Sequence, residues 1–201
     1  MKNNSKYTKM IIEALKEKNG IITSSYCRSN NIPNIYLKQL VEDGTLVKEG
    51  RGIYASPETF LDDYYIFQLK YKRCIYSFLS ALYLHGMTDR NPVKKEVTVY
   101  KGYNVSGIED NCIFHYVTKR FYDIGITKVK TMFSNPVRTY DKERTICDFI
   151  RNRKDIDPEI FVKALNNYMK SRDKRLDRLF EYAKIFRIEQ KTYELLEVLH
   201  E

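Results

Sequence analysis

The stretch Ile32-Pro33-Asn34-Ile35-Tyr36-Leu37-Lys38-Gln39-Leu40-Val41-Glu42-Asp43-Gly44-Thr45-Leu46-Val47-Lys48-Glu49-Gly50-Arg51-Gly52-Ile53-Tyr54-Ala55 decides how the N-terminal part of this chain folds. On a wheel of 3.6 residues per turn, Leu37, Leu40 and Val41 share one face. Ile35, Lys38, Gln39 and Glu42 point away from it, and Tyr36 sits at the flank. Pro33 suits the first position of this helix, where its missing N–H leaves nothing unbonded. Gly44 ends the helix, and Leu46 to Ala55 then forms a hairpin around Glu49-Gly50-Arg51-Gly52. An apolar-backed helix followed at once by a basic-tipped hairpin is the second half of a winged helix-turn-helix, a small DNA-reading module.

The preceding residues supply the first half. Met10, Ile11, Ala14 and Leu15 fall on one helical face, and Asn19-Gly20 stops that helix. Ile21-Ile22 suits a short extended segment, and Thr23 or Ser24 caps a second short helix running to about Asn30. After the hairpin, Ser56-Pro57 is expected to start a helix to about Lys72 that bridges to a second domain. A helix capped by Ser77 and closed by Gly86 follows, with Phe78, Leu79, Leu82 and Tyr83 buried. From Glu96 the period becomes that of strands: Val97–Tyr100, Ile113–Val117, Ile126–Phe133 and Val137–Tyr140. Asp141 then caps a helix containing Ile146 and Phe149. The rest is helical, over Ile160–Met169, Leu176–Phe186 and Thr192–His200. The expectation is therefore an α+β chain: a winged helix-turn-helix with its linker helix over residues 1–72, then an α+β domain over 73–201 with a small sheet and C-terminal helices.

The bulk composition agrees with this organisation. A length of 201 residues allows two domains of about 100. Lys and Arg outnumber Asp and Glu by 35 to 26, a net charge of +9 that favours a polyanionic partner without proving one. Cys27, Cys74, Cys112 and Cys147 are far apart, which excludes a CxxC pair and zinc-finger spacing and suits reduced thiols in the cytoplasm. The start of the chain has no apolar leader, and the mostly apolar run Cys74–Leu84 is too short to cross a bilayer, so no membrane role is expected.

The candidate DNA-binding residues are Ser24, Arg28, Asn34, Ile35, Tyr36, Lys38, Gln39, Lys48 and Arg51. Gln39 has the donor and acceptor needed for adenine, Ile35 suits a thymine methyl group, and Tyr36 or Lys38 suits a phosphate. Arg51, between two glycines, is free to enter a minor groove. Lys2, Lys6 and Lys9 add phosphate contacts from an N-terminal arm, while Glu42, Asp43 and Glu49 oppose a strong nonspecific grip.

In the C-terminal part, Lys170, Arg172, Lys174 and Arg175 form a basic stretch, read either as a solvated helix surface or as a second nucleic-acid contact. Asp141, Glu143 and Asp148 invite a metal-site reading, but capping, the helix dipole and an Arg144 pairing explain them more simply. His85, His115 and His200 lack partners at ligand spacing. With no glycine-rich phosphate loop and no nucleophile motif, no catalytic residue, metal or cofactor is expected.

Four segments, in order, carry a family resemblance. They are Tyr36-Leu37-x-x-Leu40-Val41-x-x-Gly44-x-Leu46 with Arg51-Gly52-Ile53-Tyr54; Ser77-x-Leu79-Ser80-Ala81-Leu82-Tyr83-Leu84-His85-Gly86-Met87-Thr88-Asp89; Val97-Thr98-Val99; and Tyr140-Asp141-Lys142-Glu143-Arg144-Thr145-Ile146-Cys147-Asp148. Together they resemble the AbiEi-type antitoxins of type IV, abortive-infection toxin–antitoxin systems. The resemblance implies a winged helix that represses its own operon by binding inverted-repeat promoter DNA. It also implies a C-terminal domain that counters a nucleotidyltransferase toxin without requiring a stable complex. Two other readings stay open: a ligand-responsive winged-helix regulator, and a DNA-processing enzyme dependent on Asp141 or Asp148.

Overall fold

A computed structural model describes residues 2–108 and 111–198, with side chains from residue 6 to 197. The chain forms two compact units, one of residues 1–72 with 130–137 and one of residues 73–129 with 138–201.

The first unit runs α1 (Lys2–Glu17), β1 (Ile21–Thr23), α2 (Ser24–Ser29), α3 (Ile35–Glu42), β2 (Val47–Gly50), β3 (Ile53–Ala55) and α4 (Asp63–Lys70). The three strands form an antiparallel sheet in the order β1-β3-β2. This is the element order of a winged helix. Its core is the set of positions the helical periods select: Ile11, Ala14 and Leu15 from α1, Cys27 from α2, and Leu37 and Leu40 from α3, closed by Ile22, Ile32 and Leu46. Strand alternation sends Ile21, Ile53 and Ala55 to the opposite side, against Ile66 of α4.

Local differences from the sequence expectation have physical causes. Thr23 caps α2, its Oγ1 accepting the Tyr26 N–H at 3.1 Å. Helix α3 begins at Ile35, so Pro33 precedes the cap instead of occupying the first helical position. Asn34, already in right-handed helical conformation, closes a tight entry turn with the bonds Tyr36 N–H to Pro33 C=O and Leu37 N–H to Asn34 C=O. Residues 56–61 are not helical, and α4 starts at Asp63. The cause is Asp62. One carboxylate oxygen caps Tyr65 N–H at 3.1 Å, and the other accepts from Thr131 Oγ1 at 2.5 Å and Asn135 Nδ2 at 2.9 Å. Lys6 and Lys9 lie on α1 rather than in an extended arm, and the side chain of Lys2 lies outside the described residues.

The second unit adds β4 (Ile75–Tyr76), α5 (Phe78–Leu84), β5 (Lys95–Tyr100), β6 (Cys112–Val117), α6 (Lys119–Tyr122), β7 (Ile126–Lys130), β8 (Pro136–Tyr140), α7 (Lys142–Arg151), a 3-10 turn at Arg153–Asp155, α8 (Pro158–Lys170), α9 (Leu176–Phe186) and α10 (Glu189–Val198). The sheet is five-stranded and mixed, in the order β6-β5-β4-β8-β7. β5 runs parallel to β6, and β4 pairs antiparallel to β5 and parallel to β8. The helices bury Ile146, Phe149 and Ile150 of α7 with Phe161, Leu165 and Tyr168 of α8 and Leu179, Ala183 and Phe186 of α9. Strand β4 and helix α6 are absent from the sequence expectation, and β7 ends at Lys130, three residues short of Phe133. Tyr83 is half-buried, not buried. Helix α10 starts three residues before Thr192, and His200 lies outside the described residues.

One ionic centre organises this unit. Arg144 is fully buried. Its Nε donates to Asp148 Oδ2 at 3.0 Å, and its Nη1 donates to the carbonyls of Phe121 (2.7 Å) and Ile124 (2.8 Å). The guanidinium lies 4.2 Å from the Tyr140 ring centre and 4.5 Å from that of Phe186. Gly125, at φ +80°, makes the approach possible, because a Cβ there would come within 2.6 Å of Arg144 Cβ. Asp141 caps α7 through Arg144 N–H, as the sequence reading expects, and Glu143 does more than complement the helix dipole. Buried, Glu143 accepts from Tyr168 Oη at 3.1 Å and from Arg175 N–H at 2.9 Å, which ties α7 to α8 and to the start of α9.

Removing one member of a buried ion pair strands the other charge, so Asp148→Ala should destabilise the protein by about 3–5 kcal/mol in urea unfolding. The double change Arg144→Met/Asp148→Leu should recover most of that loss, and equal instability of the two variants would contradict this account. A second prediction concerns His85, whose Nε2 lies 2.7 Å from the Tyr140 carbonyl. Burial lowers its pKa below the ordinary imidazole value, so the fold favours the neutral ring. The stabilisation is present above the unfolded value of about 6.5 and is lost as pH falls below it. The melting-temperature gap between wild type and His85→Gln should therefore narrow from pH 7 to pH 5.

Candidate nucleic-acid interface

The outward surface of α3 follows from which side of the helix the core takes. Leu37 and Leu40 are spent inward, with Val41 half-buried beside them. That leaves Asn34, Ile35, Lys38 and Gln39 exposed. Ile35 is 53% exposed. Asn34 makes no side-chain cap bond, and Lys38 makes only a loose, exposed pair with Glu42 at 3.6 Å. Tyr36 is half-buried at the flank, its ring 5.0 Å from that of Tyr7 on α1.

The hairpin supplies the wing. Val47 pairs with Ala55 and Lys48 with Tyr54, a bulge shifts the register, and Gly50 then faces Ile53. The tip is Arg51-Gly52, with Gly52 at φ +73°. Ser24 N–H donates to the Gly52 carbonyl at 2.9 Å, bonding the tip to the start of α2. A Cβ on Gly52 would lie 3.4 Å from Ser24 Cβ and Oγ, so the approach is close. Lys48, Arg51 and Arg28 are exposed, and Ser24 is half-buried. The structure thus brings all nine sequence-selected residues into the α2–α3–wing region of one unit. It also adds Ser25 and Lys72, which border a cleft with Ser24, Arg28 and Arg51. Their neutral and isolated-charge spacing gives no pattern along the chain.

The C-terminal basic residues belong to a different setting. Lys170 ends α8, and Arg172, Lys174 and Arg175 lie in the loop before α9, not on a helix face. Arg175 pairs with Asp177 at 2.9 Å, and Lys174 Nζ lies 3.4 Å from the Ser171 carbonyl. Lys142 crosses from α7 to bond Asp173 at 2.7 Å, and with the Ser171 hydroxyl it holds that carboxyl at about 2. Of the four cations, Arg175 and Lys174 therefore have partners in place. Asp141 accepts from Tyr182 Oη at 3.0 Å and caps α7, while Asp148 serves Arg144. Among the described residues, no group of three or more His, Cys, Asp and Glu side chains is placed to hold a metal ion. Likewise among them, no helix is long and apolar enough to cross a membrane.

The architecture is that of a winged helix joined to an α+β unit with C-terminal helices. Among solved structures, the chain is similar to the crystal structure of the RV2827C protein from Mycobacterium tuberculosis, at 14% identity and a TM-score of 0.54, over 88% of this chain and 71% of that one. The likeness is one of fold. No protein-family model matches the chain, and no curated protein matches it in sequence.

The wing tip gives a direct stability test. Alanine at position 52 must adopt a left-handed backbone against Ser24, so Gly52→Ala should cost about 1–2 kcal/mol in urea unfolding, whereas Gly44→Asn should cost less.

Proposed function

We propose that this chain is a non-enzymatic, cytoplasmic DNA-binding antitoxin of the AbiEi type, which represses its own operon through the winged helix. The observation that carries the reading is the division of α3: Leu37 and Leu40 wholly inside, and Ile35, Lys38 and Gln39 outside beside a basic wing. Gln39 and Asn34 offer paired donor and acceptor groups for base edges, and Ile35 offers an apolar contact for a thymine methyl group. One winged helix covers a half-site, so two copies occupy an inverted repeat. The net charge of +9 favours the encounter with DNA. The antitoxin part of the proposal rests on the four sequence segments that resemble the family. In this reading the second unit counters a nucleotidyltransferase toxin encoded beside it, with Lys170, Arg172, Lys174 and Arg175 as the surface to test.

The carrying experiment is binding to the DNA upstream of the chain's own reading frame, with Gln39→Ala beside wild type. The expected result is sequence-dependent binding, with discrimination weakened by about 1–3 kcal/mol in the variant. Equal affinity for upstream and shuffled DNA in wild type would remove the regulatory reading. Co-expression with the adjacent nucleotidyltransferase should relieve growth arrest. Arrest that persists at matched expression would count against the antitoxin role while leaving DNA binding intact.

A further inference from the structure

The front of α3 is not the only place on the first unit suited to DNA. A cleft of about 460 Å³ opens between α2, the wing tip and the residues that follow α4. Ser24, Ser25 and Arg28 border it from α2, Arg51 from the wing, and Lys72 from beyond α4. Its charge has one sign: three cations and no carboxylate line it. Among the described residues, none of those three cations has a hydrogen bond or ion pair, and the Ser24 and Ser25 hydroxyls are equally uncommitted. The Thr23 hydroxyl, by contrast, is spent on the Tyr26 N–H.

The cleft is also preformed. The Ser24–Gly52 backbone bond of 2.9 Å fixes the wing tip to α2, so Arg51 and Arg28 face a common space before any ligand arrives. Like charges held together without a counter-charge repel, which an anion relieves. The charged groups here are donors only, since guanidinium and ammonium have no acceptor. A single guanidinium also pairs with guanine N7 and O6, but three converging cations with two hydroxyls exceed what one base edge accepts and match a phosphate, which is anionic and presents acceptors alone.

The geometry points to a seat for a phosphodiester of duplex DNA in this cleft, gripped by Arg28, Arg51 and Lys72 with the Ser24 and Ser25 hydroxyls. The inference rests on the DNA-binding reading above. It gives Arg51 a different task from the minor-groove insertion expected from sequence, and it adds Lys72 and Ser25 to the interface. Helix α3 reads sequence, and the cleft sets register on the backbone without reading it.

The test measures full-length protein by fluorescence anisotropy on two duplexes, the upstream DNA and a shuffled duplex of equal composition, across a salt series. Arg28→Ala, Arg51→Ala and Lys72→Ala should each make the slope of log affinity against log salt shallower by about 0.9 on both duplexes. Over a fourfold rise in salt, each missing cation should thus spare about threefold of the affinity loss. Arg28→Lys should keep the wild-type slope, and Gln39→Ala should change discrimination but not slope. Unchanged slopes in the three alanine variants, with wild type binding normally, overturn the phosphate seat and leave the DNA-binding reading standing. So does a loss at Arg51 confined to one of the two sequences. If slopes are unchanged but the variants abolish a thermal shift produced by inorganic phosphate, the cleft holds a free anion and the DNA assignment falls. Wild type that binds neither duplex at low salt removes both the reading and this site.

Discussion

The second unit depends on a single buried guanidinium. Taking Arg144 out of water is costly, and the structure offsets that cost with the Asp148 carboxylate, two backbone carbonyls and two aromatic faces. Each partner comes from a different piece of chain: the same helix one turn on, the end of α6, the turn after it, the last residue of β8, and α9. None can move far without leaving a charge unmet, so the site acts as a registry mark for sheet and helices together. Glu143 extends the arrangement to α8 and to the first residues before α9. The segment Asp141–Asp148, which invites a metal-site reading, spends its carboxylates on caps and internal pairs.

The core beneath α1 and α3 follows the opposite plan. It is apolar, built from Ile11, Leu15, Ile22, Leu37 and their neighbours, and the polar groups on the outer side of α3 and the wing are largely uncommitted, while the buried Asp62–Thr131–Asn135 network lies elsewhere in the unit. The contrast bears on the proposed function. For the DNA binding proposed above, a side chain that already has a partner would have to give it up, whereas Gln39, Asn34 and Arg51 would carry no such cost. The Ser24 N–H to Gly52 carbonyl bond ties the wing tip to the start of α2, which sets where the backbone beside Arg51 lies.

Much of this was legible along the chain. The periods of α1 and α3, the Thr23 and Asp141 caps, Gly44 and the hairpin through Arg51-Gly52 are local signals, and the structure has them where the sequence places them. The departures share a cause. β4 is two residues long, too short for any period, and exists because β5 and β8 flank it. The late start of α4 comes from Asp62 bonding residues 69 and 73 positions away. What the chain alone does not show is how the loop over residues 171–175 is held: Glu143 and Lys142 of α7 bond its backbone and Asp173.

The sequence by itself determined the α+β class, the winged-helix order and the exposed face of α3, because these follow from periodicity and caps read within a few residues. It also determined that the chain is basic. Tertiary structure alone decided that Arg144 is the buried centre of the second unit and that Arg28, Arg51 and Lys72 border one cleft. The reason is the same in both cases. Burial and charge clustering depend on which distant segments meet, and residues 28, 51 and 72 carry no spacing that announces their meeting until the wing closes on α2.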